Sequence, residues 1–425
     1  MHMRFLYDAV YLIAALLYVP VLILRRKLHR GFLMRLGFLG RLKGAQDYAR
    51  GPVWVHAVSV GEAMVARGFL EAFRPLAGDR RFVISTVTET GNAIARSMAK
   101  PDDTVIYFPL DLSFVVEKAV SRIKPCLFVC VETEVWPNFI STLSRKGVPC
   151  VIINARISDA SLKGYRFLNF ILRRTFSRIG LACCQTVADA RRLISLGVEK
   201  ERVRVTGNMK FDLKVPDAKD ASVALPIKEG ELLWVCGSTH PGEEEILIGV
   251  YRSIQKRFPH LKLLIAPRHP DRAGVVCQLL ARNGFIPLPV SSLAAAPGEG
   301  RQQEVFVLDT VGELFFYYAR ADVVFVGGSL VRHGGHNILE PALLAKPILF
   351  GPHMFNFRQV AAIFLQNKAA CAVGNAAELR DKMAALLLDA ALRDELGRRA
   401  KQVLSDNQGA TRQTVSAVME LYKSR

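Results

Sequence analysis

From about residue 50 onward the chain alternates short apolar runs with stretches of helical length, and this alternation constrains its fold more than any other feature. The runs opening at Trp54-Val55 and continuing through Arg81–Thr86, Thr104–Leu110, Cys126–Glu132, Val148–Asn154, Leu181–Gln185 and Arg202–Thr206 read as strands. The pattern lapses around Pro216-Asp217-Ala218-Lys219-Asp220, the mark of a linker. It resumes with Leu232–Gly237, Lys262–Ala266, Val305–Asp309, Val323–Gly327 and Pro347–Phe350. Strands interleaved with helices build βαβ units, whose parallel sheets are covered on both faces. Two such α/β halves joined by one linker imply a cleft between them, where small-molecule sites gather.

Other features bound the reading. A chain of 425 residues holds two or three domains at roughly 150 residues each. The formal net charge of +19 calls for an anionic partner, either a phosphorylated substrate or an acidic membrane surface. No zinc-finger spacing, basic zipper or RRM-like motif supports nucleic acid. The eight cysteines mostly sit in apolar runs such as Cys126-Leu127-Phe128-Val129-Cys130, the pattern of buried free thiols in a reducing compartment.

Phe5–Leu24 is nearly continuously apolar, and about 20 such residues cross a bilayer. Asp8 and Pro20 are costly inside a span, so the helix either crosses the membrane or lies on it. Arg25, Arg26, Lys27, His29, Arg30, Arg35 and Arg41 follow, placing the rest of the chain on the cytoplasmic side. Gly31–Leu39 mixes apolar and basic residues as interfacial helices do. The expected division is a membrane-anchor helix over 1–30, α/β units over 31–214 and 231–405, a linker over 215–230 and a C-terminal helix over 406–425.

Glu62 follows the first strand through His56-Ala57-Val58-Ser59-Val60-Gly61, just before a helical pattern that begins at Ala63. Open α/β sheets hold ligands at such a strand end, and Gly61 permits close approach. A carboxylate there reads either as a proton acceptor or as a complement to the helix dipole. Glu132 and Glu134 place two more carboxylates at a strand end, beside Trp136, where they would orient sugar hydroxyls against the indole. Lys210 either reaches the cleft or pairs with Asp212.

In the second half, Gly327-Gly328-Ser329-Leu330 closes a strand, and Gly334-Gly335-His336-Asn337 leads to Glu340. Glycines before a helix free backbone N–H groups for a phosphate. Glu340 would then accept ribose hydroxyls, unless it merely forms a capping box with Asn337. Ser238, Thr239 and His240 precede an acidic helix start and either contact an anion or cap the helix. Arg268, with His269 between Pro267 and Pro270, suits bidentate contact with phosphate or carboxylate, or is a surface residue. Metal binding lacks a DxD-like pair or a histidine cluster at ligand spacing; His333 and His336 read as polar loop residues.

The segments His56–Glu62, Glu132-Thr133-Glu134-Val135-Trp136-Pro137-Asn138, Gly207-Asn208-Met209-Lys210-Phe211-Asp212, Gly237-Ser238-Thr239-His240, Pro267-Arg268-His269-Pro270, Gly312-Glu313-Leu314 and Gly335-His336-Asn337-Ile338-Leu339-Glu340-Pro341 together carry a resemblance. In order, and over nearly the whole chain, they resemble the 3-deoxy-D-manno-octulosonic-acid (Kdo) transferases of Gram-negative lipopolysaccharide assembly. The resemblance implies a GT-B fold of two Rossmann-like halves facing a cleft, without metal or cofactor. It implies CMP-Kdo as donor, lipid IVA as acceptor, and work at the cytoplasmic face of the inner membrane. Glu62 would be the general base, with Ser59, Gly61, Glu132 and Glu134 on the acceptor side. Ser238, Thr239, His240, Arg268, His269, Asn337, Glu340 and Lys210 would hold the donor, and Gly312-Glu313-Leu314 would sit near the cytidine. A transferase using a UDP-sugar, or a tethered two-lobed binding protein, meets some of the same features. A carboxylate in a positive cleft argues against the binding protein.

Overall fold

Val53–His56, buried at every position, is the first strand (β1) of a computed structural model that describes residues 7–13, 31–40, 51–212, 224–293 and 303–424. It is followed by β2 (Phe82–Thr86), β3 (Thr104–Tyr107), β4 (Leu127–Val131), β5 (Cys150–Ala155), β6 (Leu181–Cys184) and β7 (Val203–Val205). These form one parallel sheet in the order β3-β2-β1-β4-β5-β6-β7. Its strands are apolar without alternation because helices cover both faces. Trp54, Phe128 and Phe139 pack on one side, and Val55, Phe69 and Phe73 on the other. Strand order reverses between β1 and β4, where His56 lies beside Cys130. Beyond such a reversal the loops diverge to opposite faces and leave a crevice for ligands.

The second sheet contains β8 (Leu232–Thr239), β9 (Leu261–Pro267), β10 (Ile286–Pro289), β11 (Glu304–Val307), β12 (Val323–Val326), β13 (Ile348–Phe350) and β14 (Cys371–Ala372). Its order is β10-β11-β9-β8-β12-β13-β14, so the reversal falls between β8 and β12. The expected alternation is therefore observed twice. Two strands escape a pattern-based reading: β10 is an edge strand carrying Pro287 and Pro289, and β14 has only two residues. The helix after β1 also starts earlier than expected, at Val60 with Ser59 before it, so Glu62 lies inside its first turn.

The chain divides into one unit through Asp212 joined by residues 407–425, and a second spanning Leu213–Asp406. The helix Ala410–Lys423 puts Val415, Val418 and Met419 into the same core as Phe69 and Phe73. The Asp212 carboxylate anchors its start by accepting the N–H groups of Gly409 and Thr411. The helix Ala390–Asp406 belongs to the second unit.

Of the linker expected over 215–230, residues 215–223 lie outside the described residues, as do Pro20, the basic cluster Arg25–Arg30 and Arg41. Residues 7–13 are helical. Among the described residues no helix is long and apolar enough to cross a membrane. Asp8 is held by the first unit: its Oδ1 accepts the Ser113 N–H at 3.0 Å and Asn138 Nδ2 at 2.7 Å.

Candidate functional site

The expected residues lie along the carboxyl edges of the two sheets, each set within its own unit. In the first, the chain leaves β1 through Ala57 and Val58 and enters the helix Val60–Phe73. One oxygen of Glu62 accepts the Val58 N–H at 2.8 Å, and the other accepts the Ser59 hydroxyl at 2.9 Å. Its place in the first turn of that helix also fits the reading of Glu62 as a complement to the helix dipole. It is not the whole account, because the side chain is only 9% exposed. Burial pushes its carboxyl up to about 7, the two hydrogen bonds oppose the rise, and the charges of Glu132 and Glu134 add to it. Among the described residues no cation pairs with Glu62.

Glu132 leaves β4 in a left-handed conformation, φ 59°, a strained state for a residue with a side chain. Its Oε1 lies 2.9 Å from Lys210 Nζ. Lys210, expected among the donor residues or paired with Asp212, is therefore placed with the acids of the first unit, while Asp212 serves the C-terminal helix. Burial, and then the charge of Glu132, raises the Glu134 carboxyl above the ordinary range. Gly61, beside Glu62, has open space where a Cβ would stand.

Trp136 does not simply line an opening: its ring packs against the core 6.0 Å from Phe108. Asn154 is a residue that pattern reading missed. Fully buried at the end of β5 with φ 52°, it accepts the Met209 N–H at 3.0 Å and so aims the turn bearing Lys210. An asparagine at a strand end, tolerant of that conformation, was the available signal. His56 is no proton carrier at neutral pH. Burial pushes it down to about 3, and it stacks on Phe108 at 3.9 Å.

In the second unit, β8 bulges at Ser238, whose φ is 57°. Neither Ser238 nor Thr239 caps the next helix. Gly242 stands at that cap, and the Thr239 hydroxyl donates to Glu244 at 3.0 Å. His240 and His336 share a proton between their Nε2 atoms at 2.8 Å, and His240 stacks on His333 at 4.1 Å. His269 lies edge-on, 6.4 Å from His240. Burial first, and then neighbouring cationic groups including Arg268, pushes His240 and His336 down to about 4. These imidazoles are therefore neutral hydrogen-bonding groups. The exposed Arg268 makes no ion pair with its side chain among the described residues.

The first glycine pair, Gly327-Gly328 after β12, is closed to an outside anion. Buried Glu243 accepts the N–H groups of Gly328 at 2.7 Å, Ser329 at 3.1 Å, Leu330 at 2.9 Å and His240 at 3.3 Å. The protein's own carboxylate fills the anion nest, and Gly327 is needed because a Cβ there would meet Ser238 O at 2.5 Å and Glu243 Oε2 at 2.8 Å. The signal lay in the run Glu243-Glu244-Glu245, which reads as an acidic helix start.

Asn337 Nδ2 donates to Glu340 at 3.0 Å, and Asn337 Oδ1 accepts the Leu339 N–H at 3.1 Å. The helix they open, Leu339–Leu343, is one turn long. Burial raises the Glu340 carboxyl, with Asn337 and Arg268 opposing. Gly312 (φ 90°), Glu313 and Leu314 follow β11, on the same carboxyl edge of the sheet, and Glu313 accepts the Thr310 hydroxyl at 2.6 Å. Among the described residues no group of three His, Cys, Asp or Glu side chains has metal-holding geometry.

The first unit thus presents a buried carboxyl raised to about 7 beside two further acids, Glu132 and Glu134. The second presents neutral imidazoles and a free guanidinium suited to an anion. Over residues 30–213 the chain matches the family model described as 3-deoxy-D-manno-octulosonic-acid transferase (kdotransferase). It is similar to a 3-deoxy-D-manno-octulosonic acid transferase of Haemophilus influenzae, 34% identical over 417 residues and 96% of each chain. It is also similar to one of Chlamydophila psittaci, 32% identical over 374 residues, covering 86% of this chain and 85% of that one. In fold it is similar to a UDP-GlcNAc 2-epimerase of Neisseria meningitidis, with TM-score 0.59, 13% identity, and coverage of 87% of this chain and 100% of that one.

Proposed function

Because the chain belongs to the 3-deoxy-D-manno-octulosonic-acid transferase family, glycosyltransferases of lipopolysaccharide biosynthesis, we propose that it moves Kdo from CMP-Kdo to lipid IVA with inversion. The observation that carries this reading is Glu62. A general base works best with a pKa near the operating pH, and burial beside two carboxylates brings this one to about 7. Glu62 removes the acceptor hydroxyl proton as that oxygen attacks the anomeric carbon of Kdo. The bond from that carbon to the CMP phosphate breaks in the same step, and a single displacement inverts the centre. Glu132 and Glu134 orient the acceptor, with Ser59 and Gly61 at the entrance. Lys210 restrains the negative charge by pairing with Glu132.

On the donor side, Arg268 is a cation available to the phosphate and carboxylate of CMP-Kdo. His240, His269, Ser238 and Thr239 lie at the same edge, as do Asn337 and Glu340 for the ribose and Gly312, Glu313 and Leu314 for the base. With the nest after β12 filled by Glu243 and the Thr239 hydroxyl committed to Glu244, the phosphate is held by the side chains of Arg268, His240 and His269. No metal or cofactor enters this scheme.

Contact with the cytoplasmic face of the inner membrane is supported by the net charge of +19 and by the exposed apolar side chains Val10, Ile13, Leu33 and Phe38. Lys118 lies over the Phe38 ring at 3.8 Å, adding a cation to that surface. The test is incubation of the full chain with lipid IVA and CMP-Kdo generated in situ, followed by mass spectrometry of the lipid. Gain of Kdo mass is expected; an unchanged lipid overturns the reading. CMP should raise the melting temperature and UDP should not, whereas equal stabilisation would assign a different donor.

A further inference from the structure

An aspartate in the apolar amino-terminal run is out of place if that run only holds the protein to lipid, because a charge there weakens insertion. The structure gives Asp8 different work. Its Oδ1 accepts the N–H of Ser113, the first residue of the helix Ser113–Ile123, and the side-chain N–H of Asn138. Asn138 stands at the start of the helix Pro137–Arg145, four residues beyond Glu134. It is buried, and its amide also donates to the Asp111 carbonyl at 2.7 Å, so Asp8 and Asp111 together use both of its side-chain hydrogens. The Asp111 carboxylate accepts the backbone N–H groups of Asn138 at 3.1 Å and Phe139 at 2.8 Å.

Three carboxylate and carbonyl groups therefore pin the helix start from which Glu132-Thr133-Glu134-Val135-Trp136 runs back to β4. One of them comes from the amino-terminal segment, 130 residues away. The segment 31–40 grips the same loop through the Leu110 N–H, which donates to Arg35 O at 2.8 Å. Next to that contact, Phe108 stacks on His56, the last residue of the strand that leads to Glu62.

We propose that Asp8 is a positioning residue for the acceptor site, acting through Asn138 on the loop that carries Glu132 and Glu134. The inference rests on those residues being the acceptor side of the transferase. It ties the membrane-facing segment to the order of the acceptor carboxylates, so that docking on lipid and readiness for a lipid acceptor are one arrangement.

The test uses the full chain with Asp8→Leu, Asp8→Ala and Asp8→Asn. Leucine removes a charge from an apolar segment, so a purely anchoring residue predicts unchanged or tighter binding to phosphatidylethanolamine–phosphatidylglycerol vesicles and unchanged kinetics. Asp8→Leu is expected to bind those vesicles at least as well as wild type while its KM for lipid IVA rises roughly tenfold, the equivalent of one buried donor left unpaired. Its KM for CMP-Kdo and its stabilisation by CMP should not move. Asp8→Ala should match the leucine variant, and Asp8→Asn should restore the acceptor KM because its amide oxygen accepts the same two hydrogens. A wild-type acceptor KM in Asp8→Leu overturns the proposal, as does a parallel rise in both KM values with a lower melting temperature. Absence of transfer by the wild type would instead sink the assigned reaction and take this inference with it.

Discussion

Replacing Glu62 by glutamine separates a helix cap from a catalytic base, because the two roles predict stability changes of opposite sign. The carboxyl is raised from 4.5 to about 7, chiefly by burial. At about 1.4 kcal/mol per pH unit, the ionised form costs the fold about 3 kcal/mol above pH 7. The folded pKa lies above the unfolded one, so the associated stability is fully present below about 4.5. It falls as pH rises through that window, and the loss is complete above about 7. Glutamine never ionises and escapes this cost. It does keep only one acceptor for the Val58 N–H and the Ser59 hydroxyl, a loss of about 1 kcal/mol. Glu62→Gln should therefore be about 2 kcal/mol more stable than wild type at pH 8.5, a rise of roughly 4–8 °C in the melting of the first unit. The gain should vanish near pH 5, as calorimetry at the two pH values would show. Transfer should fall roughly 10²–10⁴-fold with CMP stabilisation retained. A cap alone predicts about 1 kcal/mol lost at both pH values with near-normal turnover. That result would refute the base assignment.

Lys210→Met leaves Glu132 without its cation, so Glu62 should ionise roughly half a unit to one unit later. The rising limb of kcat/KM against pH should move up by that amount, and an unmoved limb would detach Lys210 from the acid cluster. Glu243→Ala strips the partner from four backbone N–H groups and should destabilise the second unit by about 2–4 kcal/mol. Inorganic phosphate should raise the melting temperature of that variant more than that of wild type, because an anion can then enter the emptied nest; equal responses would show the nest closed. His240, held down at about 4, adds stability that is complete above about 6.5 and lost as pH falls toward 4. His240→Gln should flatten the decline of melting temperature over that range, and an unchanged decline would place its origin elsewhere.

What the amino-acid sequence determined by itself was local and periodic. Parallel strands buried on both faces must be apolar without interruption, so Val53–His56, Leu127–Val131, Leu261–Pro267 and their neighbours announced themselves together with the α/β class. The ordered motifs from His56 to Pro341 then pointed to the transferase family, which the similarity to its relatives bears out. A two-residue strand and an edge strand with two prolines carry too little of that pattern to be read.

Only the tertiary structure decided which groups meet. Glu132 and Lys210 are 78 residues apart, Glu243 and Gly328 are 85, and Asp8 and Asn138 are 130. A glycine loop looks like a phosphate nest until the fold seats a distant carboxylate in it, and an acid in an apolar run looks like a flaw until a distant amide is found beside it. Hydrogen bonds and charge interactions act over a few ångströms in space whatever the separation along the chain, so strand order, which sets those distances, had to be known first.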